Sequence, residues 1–166
     1  MKLHKLAYFV QAGSLAFFDV AAFNEPIEAW KYGPMVRTMA GHYMQFEGNP
    51  IPGPVAGSSG NLDERTSWIV DRVLAEYGDL TGPELAKLTK GPGSPWRQVR
   101  GDLPPEEPSD LEIPQPLIGD FHRTHGVFPA DPTPEENALA QRFFDGDDEA
   151  LADLTERVTG IRATVR

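Results

Sequence analysis

Two histidines three residues apart, His122 and His125, are the nearest this chain comes to a metal-site pattern. On a helix, side chains at i and i+3 share a face. A stable site needs three or four ligands, and the remaining histidines, His4 and His42, lie far away in sequence. Two surface histidines are the expected reading. A second cluster, Asp145, Asp147, Glu149, Asp153 and Glu156, has the spacing of acids in an EF-hand loop. The position that must be glycine in such a loop is Ala150, and Ala150-Leu151-Ala152 reads as helix. The acids are therefore read as charges favouring a helix N-terminus rather than as calcium ligands. Gly57-Ser58-Ser59-Gly60 lacks the lysine and preceding strand of a phosphate loop. Gly13-Ser14-Leu15 lacks the second glycine of a nucleophile elbow. With no cysteine, thiol catalysis, thiolate zinc and disulfides are excluded. No catalytic set, metal or cofactor is expected, and the chain is not read as an enzyme.

The informative chemistry is aromatic. Residues 28–35 read Glu-Ala-Trp-Lys-Tyr-Gly-Pro-Met, so Trp30 and Tyr32 flank Lys31 and run into Gly33-Pro34. A Gly-Pro pair predicts a turn, because Gly reaches backbone angles closed to other residues and Pro fixes φ. Alternation places Trp30 and Tyr32 on one face of a short extended segment and Lys31 on the other. Pro95-Trp96-Arg97 is a second aromatic beside a Gly/Pro break. Trp with a neighbouring cation is a frequent interface anchor, yet Trp is also commonly buried, and for Trp30 and Trp96 both readings stay open. Trp68 lies in an amphipathic stretch and is read as core.

The elements that must position these residues follow from periodicity and breakers. Leu3, Leu6, Ala7, Val10, Ser14 and Phe17 have helical spacing, which predicts a core helix over about 2–17 rather than a signal peptide. A strand-like piece over 25–32 precedes a predicted helix over about 35–46, carrying Met35, Met39, Tyr43 and Phe46. Residues 48–61 hold four Gly and three Pro and read as a surface loop. Asn61 or Asp63 caps a helix over about 62–77 with Ile69, Val73 and Tyr77 in one stripe and Leu62, Trp68 and Leu74 nearby. Gly78 is its expected left-handed cap. Thr81 and Glu84 form a capping box for a helix over about 82–89 that buries Leu85 and Leu88. Residues 101–116, with five Pro and five acids, read as an extended crossing, and 117–125 as a further helix. Thr133 to Glu136 and Asp147 cap a final helical hairpin. These elements predict a mainly α (α+β) chain: helices with one small β element.

Charge narrows the partners. The 166 residues carry net −10, and all of it lies in 101–166, since 1–100 hold ten basic and ten acidic residues. Nucleic-acid binding needs a basic face, so nucleic acid is not an expected partner. No run reaches the ~18 apolar residues of a membrane span, and no membrane partner is expected.

Several landmarks occur in order: Met1 to Phe9 (Met-Lys-Leu-His-Lys-Leu-Ala-Tyr-Phe), Phe23 to Pro34, Glu76-Tyr77-Gly78, Leu85 to Thr89, and Pro95 to Arg100. This series resembles the Panacea domain, the SocA-like antitoxin family also known from phage-associated proteins, over roughly 1–125. The Glu-Ala-Trp-Lys-Tyr-Gly-Pro block carries most of the specificity. The resemblance implies a compact, mostly helical domain over 1–125 with a small β element, an acidic helical C-terminal extension over 126–166 outside it, and an antitoxin that neutralises a cognate toxin protein in the cytoplasm. A protease adaptor, delivering a partner to a protease or its unfoldase, is the alternative that the family also implies. Trp30, Lys31, Tyr32, Gly33, Pro34, Pro95, Trp96 and Arg97 are the candidate partner-binding or signature residues. A block shared by members with different toxins is expected to build the scaffold, with partner choice set elsewhere.

Overall fold

The computed structural model describes residues 1–46, 49–53, 57–128 and 138. Helix α1 (Lys2–Phe18) is followed by a two-stranded antiparallel hairpin, β1 (Ile27–Trp30) and β2 (Gly33–Val36). Then come α2 (Arg37–Tyr43), α3 (Glu64–Tyr77), α4 (Gly82–Thr89), α5 (Pro95–Arg100) and α6 (Gln115–His125). Short 3₁₀ turns lie at Met44–Phe46 and Ser59–Asn61. The mainly α, α+β class is what the sequence predicts. The predicted helical hairpin and the acidic cluster lie outside the described residues.

Helix α1 is the axis of the domain, packed by α3, α4, α6 and β2. Its burial follows from that position. Tyr8, Phe9, Ala12 and Leu15 are buried, and so are the polar His4, Lys5, Gln11 and Ser14. The predicted stripe of Leu3, Leu6, Ala7, Val10 and Phe17 is only half-buried. A helix enclosed on several sides has no polar face, and its buried polar groups must find partners. Gln11 does so by binding the next connection: its Oε1 accepts from the Ala22 and Phe23 amides at 3.0 and 3.1 Å, and its Nε2 donates to the Phe23 carbonyl. Ser14 Oγ donates to the Val20 carbonyl at 2.6 Å.

The core joins these α1 residues to Ile69, Val73 and Tyr77 of α3, Leu85 of α4, Trp96 of α5 and Ile118 of α6. Phe9 stacks on Tyr77 with centroids 4.2 Å apart. Val127 and Phe128 complete it, and the Tyr77 hydroxyl donates to the Val127 carbonyl. Gly13 lets α3 approach α1: a Cβ there would stand 3.1 Å from two Ile69 carbons.

Helix starts match their caps. Asp63 accepts from the Thr66 amide, the Thr81–Glu84 capping box is formed, and Ser94 accepts from the Arg97 amide. Several expectations are corrected. Gly78 is right-handed (φ −60), because the chain stays helical there and its amide still reaches the Leu74 carbonyl. Leu62 is exposed because it lies ahead of α3 in extended backbone, and Leu74 and Leu88 are exposed on the outer faces of α3 and α4, where Ala86 and Thr89 lie inward beside Leu85. Met35 belongs to β2 rather than to the second helix, which starts at Arg37.

Candidate functional site

The strand register pairs Ile27 with Val36, Glu28 with Met35, Ala29 with Pro34 and Trp30 with Gly33. The chain therefore reverses at Lys31-Tyr32, and Gly33-Pro34 opens the returning strand instead of forming the turn. Neither Lys31 nor Tyr32 has a positive φ, which excludes the primed hairpin turns. The left-handed residue is Gly33, at φ 99. Trp30 and Tyr32 consequently do not share one strand face: Trp30 ends β1 half-buried, and Tyr32 is exposed in the turn.

Pro34 is accommodated by the ladder geometry. At the Ala29–Pro34 pair the backbone groups point away from the partner strand, so the missing proline N–H removes no ladder bond. The outward groups are taken by other elements. The Ala29 amide donates to the Leu111 carbonyl at 2.7 Å, and its carbonyl accepts from Arg100 Nη1 at 3.0 Å. The Pro34 carbonyl accepts from Lys5 Nζ at 2.7 Å.

Glu28 is buried and binds two side chains at once. Its Oε2 accepts from Trp30 Nε1 at 2.5 Å, and its Oε1 accepts from Arg37 Nε at 2.9 Å. Arg37 lies over the Trp30 ring, 5.5 Å from its centroid, and the Glu28 carboxylate raises the Arg37 pKa further. Across the hairpin, Trp96 Nε1 donates to the Trp30 carbonyl at 2.7 Å. The two sequence-predicted aromatic turns thus meet. Trp96 and Pro95 are buried, Arg97 is exposed, and Arg100 and Lys90 lie over the Trp96 ring at 4.9 and 5.6 Å.

The crossing over 101–116 is part of this site. Ile113 N donates to the Ile27 carbonyl at 2.7 Å, and Glu112 bridges Glu28 antiparallel, so the crossing lines the free edge of β1. Arg100 Nη2 fixes its approach by donating to the Pro104 and Glu107 carbonyls at 2.8 and 2.7 Å. Lys31 pairs with Glu106 at 2.8 Å, which raises the lysine pKa and lowers that of the carboxyl. Beside these contacts opens a groove of about 540 Å³ with Trp30, Tyr32, Met35, Arg37 and Asp110 among its walls.

Sequence reasoning missed Lys5, Glu28 and Arg100. Lys5 is almost wholly buried, and its pKa is lowered to about 7 by desolvation, then by repulsion from Lys90. A lysine within an amphipathic helix gave no sign that a strand would pass above it. His122 is corrected too. It is buried against α1, with Tyr8 Oη at 3.0 Å and the Gly126 carbonyl at 3.0 Å, and desolvation lowers its pKa. His125 is exposed, and its ring stacks on Phe121. The two imidazoles do not converge, and among the described residues no group of three or more His, Asp or Glu gathers as a metal site.

A family model described as "Antitoxin SocA-like, Panacea domain" matches residues 3–97. The chain belongs to this family. No curated protein and no solved structure matches the chain. In this Panacea domain the matched span runs from α1 into α5 and includes the hairpin, Lys5 and Trp96. Arg100, the crossing and α6 lie beyond it. Among the described residues no helix is long and apolar enough to cross a membrane.

Proposed function

We propose that this Panacea domain is the antitoxin of a toxin–antitoxin system and neutralises a cytoplasmic toxin protein by direct, non-catalytic binding. The observation that carries the reading is membership of a family described as antitoxin. The site chemistry supports it. Both oxygens of the Glu28 carboxylate are engaged by internal bonds, to Trp30 Nε1 and Arg37 Nε, that fix the hairpin. A fixed aromatic surface with cations beside it suits protein recognition, because rigid Trp and Tyr side chains lose little entropy on docking. The candidate residues divide by role in this reading. Gly33, Pro34, Pro95 and Trp96 hold the hairpin, whereas Trp30, Lys31, Tyr32 and Arg97 reach the surface.

The test is co-expression with the protein encoded by the adjacent reading frame. That protein alone is expected to stop growth, this chain to restore it, and the two to co-purify. A harmless neighbour that forms no complex would overturn the proposal.

A further inference from the structure

We infer that the groove between the hairpin tip, α2 and the 3₁₀ turn after it docks an acidic peptide segment of the partner protein that carries apolar anchors. This rests on the antitoxin reading for the identity of the partner, but not for the existence of the site. The groove, about 390 Å³, is walled by Tyr32, Met35, Tyr43, Met44, Phe46 and Ile51. Met44 is 73 % exposed and Tyr32 55 %. These side chains come from the hairpin, α2, the 3₁₀ turn and the following loop, and converge on one depression. Scattered exposed apolar residues need no explanation, but a convergent set of methionines and aromatics marks a contact surface.

Charge decides the occupant. The chain carries 25 Asp and Glu, yet none occurs among the described residues lining this groove. His4 and Lys5 also line it, but both are buried, and its basic border comes from the neighbouring depression. The adjoining depression of about 580 Å³ shares Tyr32 and adds Lys87 and Lys90, again with no acid among its described lining residues. The groove on the other side of Trp30 differs, because Asp110 lines it. An apolar trough with a basic border attracts an anionic segment and repels a basic one.

The probe is a labelled synthetic peptide with Phe and Leu at i, i+3, i+4 and i+7 and Asp or Glu elsewhere. Its counterpart has Lys at every acid. Binding to the full chain is followed by fluorescence anisotropy and amide NMR shifts. The acidic peptide is expected to bind about tenfold or more tighter than the basic one. Its shifts should centre on Tyr32, Met35 and Met44. Tyr32→Glu, Met44→Glu and Lys87→Glu should each weaken it, about tenfold for the first two, while Leu74→Glu, an exposed leucine of α3, should not. Equal binding of the two peptides, no binding of either, or unchanged binding by the groove variants overturns the inference. So does a dimer that Met44→Glu dissociates, or NMR shifts across 129–166 when the groove is mutated in the unliganded chain. Those two results would place a second copy or the chain's own acidic segment in the groove.

The growth assay separates the two claims. If the unmodified chain neutralises and Tyr32→Glu/Met44→Glu does not, both stand. If both chains neutralise equally, the groove is not the docking face and the antitoxin reading survives. If neither neutralises, the antitoxin reading falls and the peptide measurements alone decide the groove.

Discussion

Gly33 shows how one residue carries two separate constraints. Its φ of 99 is a conformation that L side chains rarely adopt. A Cβ there would also stand 3.0 Å from Lys5 Cε and 3.0 Å from Thr89 Oγ1. Lys5 is tied to the Pro34 carbonyl and Thr89 to the Ala86 carbonyl, so neither neighbour moves freely. Gly33→Ala is expected to destabilise the domain by about 1–3 kcal/mol, read as a lower urea midpoint. Gly33→Asn separates the causes. Asn tolerates positive φ better than Ala but brings the same Cβ. If crowding contributes, Asn should recover only part of the loss; recovery close to the parent protein would show that backbone conformation alone sets the requirement.

At the scale of elements, Arg100 is the joint between α5, β1 and the crossing. One arm of its guanidinium donates to Ala29, and the other to Pro104 and Glu107. A lysine has one ammonium and cannot reproduce that fork. Arg100→Lys should cost about 2–4 kcal/mol, because buried carbonyls lose their donor. Hydrogen exchange at the Ala29 and Ile113 amides should speed up with it; unchanged exchange there would show that the crossing is held without Arg100. The same junction marks the limit of what the sequence disclosed. Helices with side-chain caps at Asp63 and Thr81 were legible, because capping is local chemistry. The hairpin was legible as a strand and a reversal but two residues out of place, since Gly33-Pro34 looks like a turn until the outward direction of its backbone groups is known. The crossing read as a linker because Pro and acids dominate it, whereas its pairing with β1 joins residues more than eighty positions apart. Trp30 and Trp96 could be named from the ordered landmarks, but their contact is a tertiary fact. Lys5 and Glu28 carried no local mark of burial at all.

At the scale of the whole molecule, burying several bases within one small domain couples its stability to pH. Desolvation, followed by the neighbouring Lys5 charge, lowers the His4 pKa from 6.5 to about 4, and desolvation lowers that of His122 as well. Between pH 6.5 and 4 the unfolded chain binds protons at His4 that the folded chain does not, so stability falls as pH falls through that window. Lys5 acts in the same direction at higher pH. Its pKa is 10.5 when unfolded and about 7 when folded. Between those values the unfolded chain again holds the extra proton, and stability rises with pH. The buried tyrosines oppose this above pH 10. Burial pushes Tyr77 up to about 12 and raises Tyr8 too, so the folded chain keeps protons that the unfolded chain loses. Background charge repulsion also changes with pH, so the decisive quantity is a difference between two proteins. Urea unfolding of the parent chain and of Lys5→Met, measured from pH 6 to 10, should give a stability difference that is flat below pH 7. Above it the parent should gain on the variant with every step in pH, as the penalty for burying its amine disappears. The same experiment on His4→Gln should give a difference confined to pH 4–6.5. A Lys5 difference curve that stays flat to pH 10 would mean that the amine keeps its charge beneath the hairpin, with the Pro34 carbonyl stabilising an ammonium rather than a neutral amine.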